Sequence, residues 1–284
     1  SYGYDNRYFL KLDLGYSGSE QYARNVRYTS TPAVGAAWLL SNEALLKSAE
    51  WLTILKLRAS YGKAANDQSN MISFAYLDNV RLNGGGPLGY LQYYIDERER
   101  GNPNLRAEVS TKSNVGVDLG LFNALSVSVD VFQEKVDNMI VSAIATVPSY
   151  QGVPLQYYPN VNEGQYENKC YEITLDYTRN IGKDFRFSVG GMLSYARNKQ
   201  ISVNEATRTN DYVYAKRQEG YSVGQQFGYL VDYSNGNGFF NTQQELDNNG
   251  LDYTFGTPRP AALVYKDLNG DGLLDQRDIA PIGK

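Results

Sequence analysis

The chain has no histidine, which excludes a histidine-based triad, a histidine general base and a histidine-rich metal site. It has one cysteine, Cys170, so no intramolecular disulfide can form, and a lone cysteine on a strand reads as a small packing residue. No apolar run approaches the ~20 residues of a membrane helix. Positive charge does not predominate: 27 Lys and Arg stand against 31 Asp and Glu, a net charge of -4 over 284 residues. That argues against a nucleic-acid partner, because binding phosphates needs a basic face. No nucleophile–base pair, phosphate-binding loop or paired-carboxylate motif is visible, so no enzymatic activity is expected. The chain opens at Ser1 without a methionine or a signal peptide, as expected of a mature product or a fragment. Tryptophan is rare as well, at 2 residues, while tyrosine reaches 25.

What the chain does have is alternation. Val115, Val117, Leu119 and Leu121 alternate with Gly116, Asp118 and Gly120, and after Phe122-Asn123-Ala124 the series Leu125, Val127, Val129, Val131 alternates with Ser126, Ser128 and Asp130. It returns as Tyr171, Ile173, Leu175, Tyr177 against Glu172, Thr174 and Asp176, then as Phe185, Phe187, Val189, Leu193 and Tyr195 against Arg186, Ser188 and Ser194. Successive strand side chains point to opposite faces, so period two gives one apolar and one polar face. Such strands fit a soluble sandwich or an outer-membrane barrel, whose apolar face meets lipid and whose polar face lines a wet lumen. Strand length reaches the ~9–11 residues needed to cross a bilayer obliquely, and several apolar rows end in tyrosine as an interfacial girdle would. The expected fold class is therefore all-β, an antiparallel transmembrane β-barrel segment with long extracellular loops.

Taken in order, Tyr8 to Tyr16 reads as a strand and Val26 to Leu39 as its return. Asn42 to Ala49 has the look of a short helical turn with Ser41 in N-cap position. Lys63 to Asn104 reads as a long irregular segment, and the charge run Asp96–Arg100 as a solvated loop. The short connections Ser41–Glu50, Phe122–Ala124 and Asn180–Asp184 all fall at one end if strands alternate in direction. The long segments Lys63–Asn104, Asn138–Gln165 and Gln200–Lys284 then all fall at the other, which is the asymmetry of bacterial barrels. Residues 1–198 are expected to be the strand region and 199–284 a long extracellular loop segment.

Four ordered motifs add a resemblance. Leu55-Lys56-Leu57-Arg58-Ala59-Ser60-Tyr61-Gly62 with Asn66 is one, and Asn102-Pro103-Asn104-Leu105-Arg106-Ala107-Glu108 is another. Asn162-Glu163-Gly164 with Glu167-Asn168-Lys169 and Glu172 is the third, and Tyr265-Lys266-Asp267-Leu268-Asn269-Gly270-Asp271-Gly272 the fourth. Together they resemble SusC/RagA-type TonB-dependent outer-membrane transporters of Bacteroidetes. The chain departs from that pattern at Ala107, where tryptophan is usual, and at Cys170, where glycine is usual. The resemblance implies an interior piece of a barrel of about 22 strands, in the cell outer membrane, importing glycans or peptides. It also implies TonB acting through a plug outside this chain, and a SusD-like surface lipoprotein as partner.

Two groups of residues carry candidate site chemistry. Tyr150, Tyr157, Tyr158, Tyr212 and Tyr214, on expected outer loops near amides, suit stacking against sugar rings or peptides. The stretch from Asp267 to Asp278 places Asp267, Asn269, Asp271, Asp275 and Asp278 at loop positions 1, 3, 5, 9 and 12, with Gly272 at position 6 and the carbonyl of Leu273 at position 7. That is the spacing of a structural calcium loop, with aspartate in place of the usual final glutamate. The competing reading of the whole chain is a soluble, secreted β-sandwich that binds carbohydrate and holds structural calcium.

Overall fold

The computed structural model describes residues 1–67, 74–84, 93–143, 150, 158–206, 209–214 and 217–283, and only the backbone course at 82–84 and 93–99. Two compact units divide the chain, Ser1–Asn204 and Glu205–Lys284.

The first unit is one open sheet. Its strands are β1 (Tyr2–Tyr4), β2 (Tyr8–Gly18), β3 (Tyr28–Leu39), β4 (Leu52–Asn66), β7 (Glu108–Leu121), β8 (Leu125–Ser142), β9 (Asn160–Ile181) and β10 (Phe185–Ser202), paired in that order. Every neighbouring pair is antiparallel. A separate hairpin, β5 (Asn79–Gly84) with β6 (Tyr93–Glu99), lies in the connection between β4 and β7. The tight turns 122–124 and 182–184 and the segment 40–51 share one end with the β1–β2 turn, and the long connections share the other. In hydrocarbon no water is available for unpaired backbone groups, which is why ladders such as β9–β10 run without a break from Phe185↔Ile181 to Gln200↔Tyr166.

The register makes the membrane geometry explicit. One line of opposed residues runs Tyr8, Trp38, Leu57, Val117, Val129, Ile173, Leu193. A second runs Leu12, Val34, Tyr61, Ser113, Gln133, Lys169, Arg197. The aromatic rims drift against these lines. At the turn end the rim is Tyr8 and Trp38 on β2 and β3, but Phe187 on β10, six residues short of Leu193. At the far end it is Tyr16 on β2, four residues past Leu12, but Tyr195 on β10, two short of Arg197. Both rims thus slip six residues over six strand steps. One residue (~3.4 Å) per strand (~4.8 Å) is an inclination of about 35°, inside the range for membrane barrels. Eight residues separate the rims on β2 and on β10, which projects to roughly 22 Å, close to the ~25 Å apolar band of such barrels.

Between the rims the outward side chains are apolar and exposed: Leu12 is 67% accessible, Leu14 80%, Val115 61% and Leu193 67%. A soluble sheet would bury this face. Among the described residues the buried cluster of this unit is instead Tyr22, Leu105 and Ala107, with Val26, Ala65, Ala75 and Ile140 packed on it, at the long-connection end.

Four local expectations need correction. Residues 42–49 hold a single hydrogen-bonded turn, Lys47 N donating to Glu43 O at 2.9 Å, but Ser41 is not its N-cap: it lies inside a 3-10 turn over Leu40–Asn42, whose own N-cap position makes no side-chain bond. β4 continues to Asn66, so the irregular segment is shorter than the alternation indicated. Asp96–Glu99, read as a solvated loop, lie on β6, because a hairpin standing off the main sheet carries no one-sided apolar pattern. β10 also runs to Ser202, past position 198.

The second unit is built from short pieces. Its strands are β11 (Gln226–Tyr229) with β14 (Ile279–Ile282), antiparallel, and β12 (Asp252–Tyr253) with β13 (Leu273–Leu274), parallel. One helical turn, α1 (Gln243–Asp247), is capped by Thr242, whose hydroxyl accepts from Glu245 N at 3.1 Å. Phe240, Leu274 and Asp278 are its most buried residues.

Candidate functional site

The polar face of the sheet carries a charged wall centred on Arg58 of β4. Arg58 lies opposite Gly116 of β7, and Gly116 opposite Asp130 of β8. A Cβ at Gly116 would come within 2.7 Å of both Arg58 Cζ and Asp130 Oδ1, so glycine here is what lets the guanidinium cross a whole strand. It donates through Nη1 and Nη2 to Asp130 at 2.6 and 2.5 Å. Through Nε it also donates to Asp118 at 3.2 Å. Ser128 Oγ donates to Asp118 at 2.8 Å, and Lys56 Nζ stands 3.8 Å from the same carboxylate. A paired charged wall is therefore present at Asp118 and Asp130, and the alternation did not disclose Arg58 as its centre. The sequence shows the parts, an arginine at an inward position of β4 and aspartates at inward positions of β7 and β8, but their meeting depends on β4 pairing with β7.

At the turn end, Glu43 accepts from Arg7 Nη1 at 2.9 Å, Tyr8 OH at 2.7 Å and Trp38 Nε1 at 2.9 Å. The Tyr8 hydroxyl, the Trp38 indole and Arg7 together hold its carboxyl below the usual range. Rim aromatics need an acceptor for their polar tips, and Glu43 supplies it for both.

At the opposite end the motif residues knit the strand ends together. Asn102 Oδ1 accepts from Asn104 N at 3.0 Å, and Asn102 Nδ2 donates to Asn160 O at 2.8 Å. Arg106 N donates to Asn162 Oδ1 at 3.0 Å, while Asn162 Nδ2 donates to Arg106 O and Asn138 O at 2.9 and 2.7 Å. Glu108 accepts from Ile140 N at 3.0 Å and Asn66 Nδ2 at 3.2 Å. Leu105, 1% accessible, anchors the group. Ala107, where the motif usually has tryptophan, is buried beside it.

The candidate substrate tyrosines differ from one another. Tyr150 is 87% accessible and Tyr212 42%; Tyr158 is half-buried. Tyr157 lies outside the described residues. Tyr214 stacks on Phe227 at 6.4 Å and meets Tyr221 edge-on at 6.3 Å, so its ring is committed to packing. A second aromatic group, Tyr229, Tyr253, Phe255 and Tyr265, escaped the sequence reading.

The loop Asp267–Asp278 is tightly self-bonded. Asp267 accepts from Gly270 N at 2.6 Å and Gly272 N at 2.8 Å. These amides, Gly272 foremost, hold its carboxyl below the ordinary range. Gly272 has φ +80°, the left-handed turn that glycine favours. Buried Asp278 accepts from Leu268 N and Asp275 N, both at 2.9 Å. Arg277 bridges Asp271 and Asp275 at 2.7 and 2.9 Å. Asn269 Oδ1 accepts from Asp271 N, and Leu273 pairs with Asp252. Among the described residues no three acidic or cysteine side chains gather into a metal cage. The donors are hard oxygens of the kind calcium takes, but two of the carboxylates face Arg277.

A tilted sheet with one lipid-facing apolar side, two aromatic rims, a charged inner wall and all long connections at one end defines the wall of an outer-membrane β-barrel. The chain belongs to the TonB-dependent receptor β-barrel family, whose model (TonB dependent receptor-like, beta-barrel) matches residues 1–276. It is 26% identical to TonB-dependent receptor SusC of Bacteroides thetaiotaomicron, over 98% of this chain and 27% of that protein. It is also 26% identical to TonB-dependent receptor P3 of Formosa agariphila, over 100% of this chain and 28% of that protein. The chain thus spans just over a quarter of these relatives. Its fold is that of the RagAB peptide importer in the closed-closed state, with TM-score 0.64 and 22% identity over 83% of this chain and 27% of that one. The open-open state gives TM-score 0.66 and 18% identity over 99% and 28%. The soluble-sandwich reading is not favoured by these relationships. The family is one of receptors rather than enzymes.

Proposed function

We propose that this chain forms part of the barrel wall, with residues 205–284 as an outer loop segment, of a TonB-dependent importer of glycans or peptides. In this reading a SusD-like surface lipoprotein covers the outer side, and TonB acts through a plug outside this chain. The observation that carries it is the two-faced sheet, lipid-side apolar and lumen-side charged, joined to family membership over residues 1–276. Exposed Tyr150 and Tyr212 supply stacking surfaces for a sugar ring or peptide side chain. No catalytic role is assigned to any residue. Deleting the gene for the polypeptide that carries this chain should abolish energy-dependent uptake of one labelled class, oligosaccharide or peptide, and pull-down of the tagged protein should recover a surface lipoprotein. Unchanged uptake of both classes would sink the reading.

We also propose that calcium can replace Arg277 as the cation of the Asp267–Asp278 loop, held by Asp267, Asn269, Asp271, Leu273 carbonyl, Asp275 and Asp278. The spacing of these oxygens supports it, as does Gly272 at position 6, whose φ of +80° makes the sharp turn such loops need. Bound calcium would supply charge neutralisation and loop order, nothing catalytic. Millimolar calcium should slow proteolysis within residues 205–283, more so in Arg277→Gln, and Asp271→Ala should abolish the effect. Cleavage indifferent to calcium in all three proteins would leave Arg277 as the loop's cation.

A further inference from the structure

Just beyond the far-end rim, the outward face of β8–β10 changes from apolar to basic. Lys169 lies directly opposite Arg197, and Glu167 opposite Lys199. On the other side Lys135 lies opposite Glu167, and Gln133 opposite Lys169. Lys135, Lys169, Arg197 and Lys199 are all exposed. Four cations thus share the outward face of three adjacent strands with two carboxylates: Glu167, which stands 3.4 Å from Lys169 and also accepts from Gln133, and Asp137, two residues past Lys135 on β8. Like charges directly opposite on a sheet destabilise it, and within the sheet the Lys169–Arg197 pair is offset only on the Lys169 side, by Glu167. At the turn end of the same outward face, the strands β8–β10 carry a single cation, Arg179. The cluster also runs against a chain whose net charge is -4.

Its height is set by the register. Arg197 and Lys199 lie two and four residues past Tyr195, the rim residue of β10, and Lys169 two past Tyr171. With the inclination derived above, that is roughly 6–11 Å beyond the apolar band, the depth of the headgroup layer. Lysine and arginine stems can lie along the apolar band while their heads reach phosphate oxygens, arginine in bidentate fashion.

We propose that Lys135, Lys169, Arg197 and Lys199 form a binding site for phosphorylated lipid headgroups of the outer leaflet. Phosphates placed between Lys169 and Arg197 remove their repulsion, and the lipid's acyl chains lie along Val131, Tyr171 and Tyr195 below. The proposal rests on the membrane placement of β8–β10; were that placement wrong, the protein would not enter bilayers at all, which the same preparation reveals.

The test uses the whole polypeptide carrying this chain, reconstituted with equal amounts of bis-phosphorylated lipid A and its dephosphorylated form, with retained lipid measured by native mass spectrometry. Wild type should retain the phosphorylated form about tenfold over the other, a difference of about 1.4 kcal/mol, and millimolar inorganic phosphate should not reduce this. The variant Lys135→Gln/Lys169→Gln/Arg197→Gln/Lys199→Gln should lose the preference while keeping its heat-dependent gel shift. Should that variant not fold, Lys135→Gln/Lys199→Gln should lose part of the preference. Equal retention of both lipids by wild type, an undiminished preference in the folded variants, or displacement by inorganic phosphate would overturn the site.

Discussion

Val129→Arg is expected to destabilise the barrel by about 2–4 kcal/mol, the cost of a cation on the lipid face near the midplane. Val129 lies opposite Val117 and Ile173, and on β8 it falls halfway between the drifting rims. Thr174→Arg makes the matched comparison, because Thr174 is at similar depth on the inner face, flanked along its strand by Glu172 and Asp176. There a new arginine meets water and carboxylates, and the loss should stay below about 1 kcal/mol. Ser128, the simplest neighbour to choose from the alternation, is unsuitable: its hydroxyl donates to Asp118 and accepts from Arg58 at 3.1 Å. Urea unfolding in lipid vesicles measures both variants, and equal losses would mean that the two faces do not differ.

Leu105→Ala should cost about 2–5 kcal/mol, the range for emptying a well-filled buried site. Leu105 packs with Tyr22 and Ala107, and its segment joins the connection after β2, the entry to β7 and the start of β9. The same change at Leu45, 92% accessible in the turn-end segment, should cost almost nothing. The Leu105 variant should also expose 19–27 and 101–107 to protease while leaving the ladders intact. A loss confined to the ladders would mean that the motif does not tie the outer ends.

These two variants mark what could be read from sequence. The faces of β7–β10 were legible because Val127, Val129 and Val131 alternate with Ser and Asp without interruption, and period two admits one register against a lipid face. The two tight turns were legible for the same reason. β1 was not, since three residues carry no period, and the β5–β6 hairpin was not, since it has no one-sided apolar row. The Arg58 cluster requires knowing that β4 pairs with β7, across a connection of about forty residues that no local pattern bridges. Neither could spacing alone show that Arg277 turns toward Asp271 and Asp275, because an arginine at loop position 11 reads equally well as solvated. The role of Asn102, Asn138 and Asn162 as strand-end ties also depends on which loops meet.

The central claim is that one face of this sheet meets lipid and the other water. Single cysteines placed at each position from Leu125 to Val131, in a Cys170→Ser background, can carry a fluorophore in bilayers containing phospholipids with mid-chain nitroxide quenchers. Quenching should be strong at 127, 129 and 131, deepest at 129, and weak at 126, 128 and 130. Uniform quenching along the strand, or none at 129, would contradict the account.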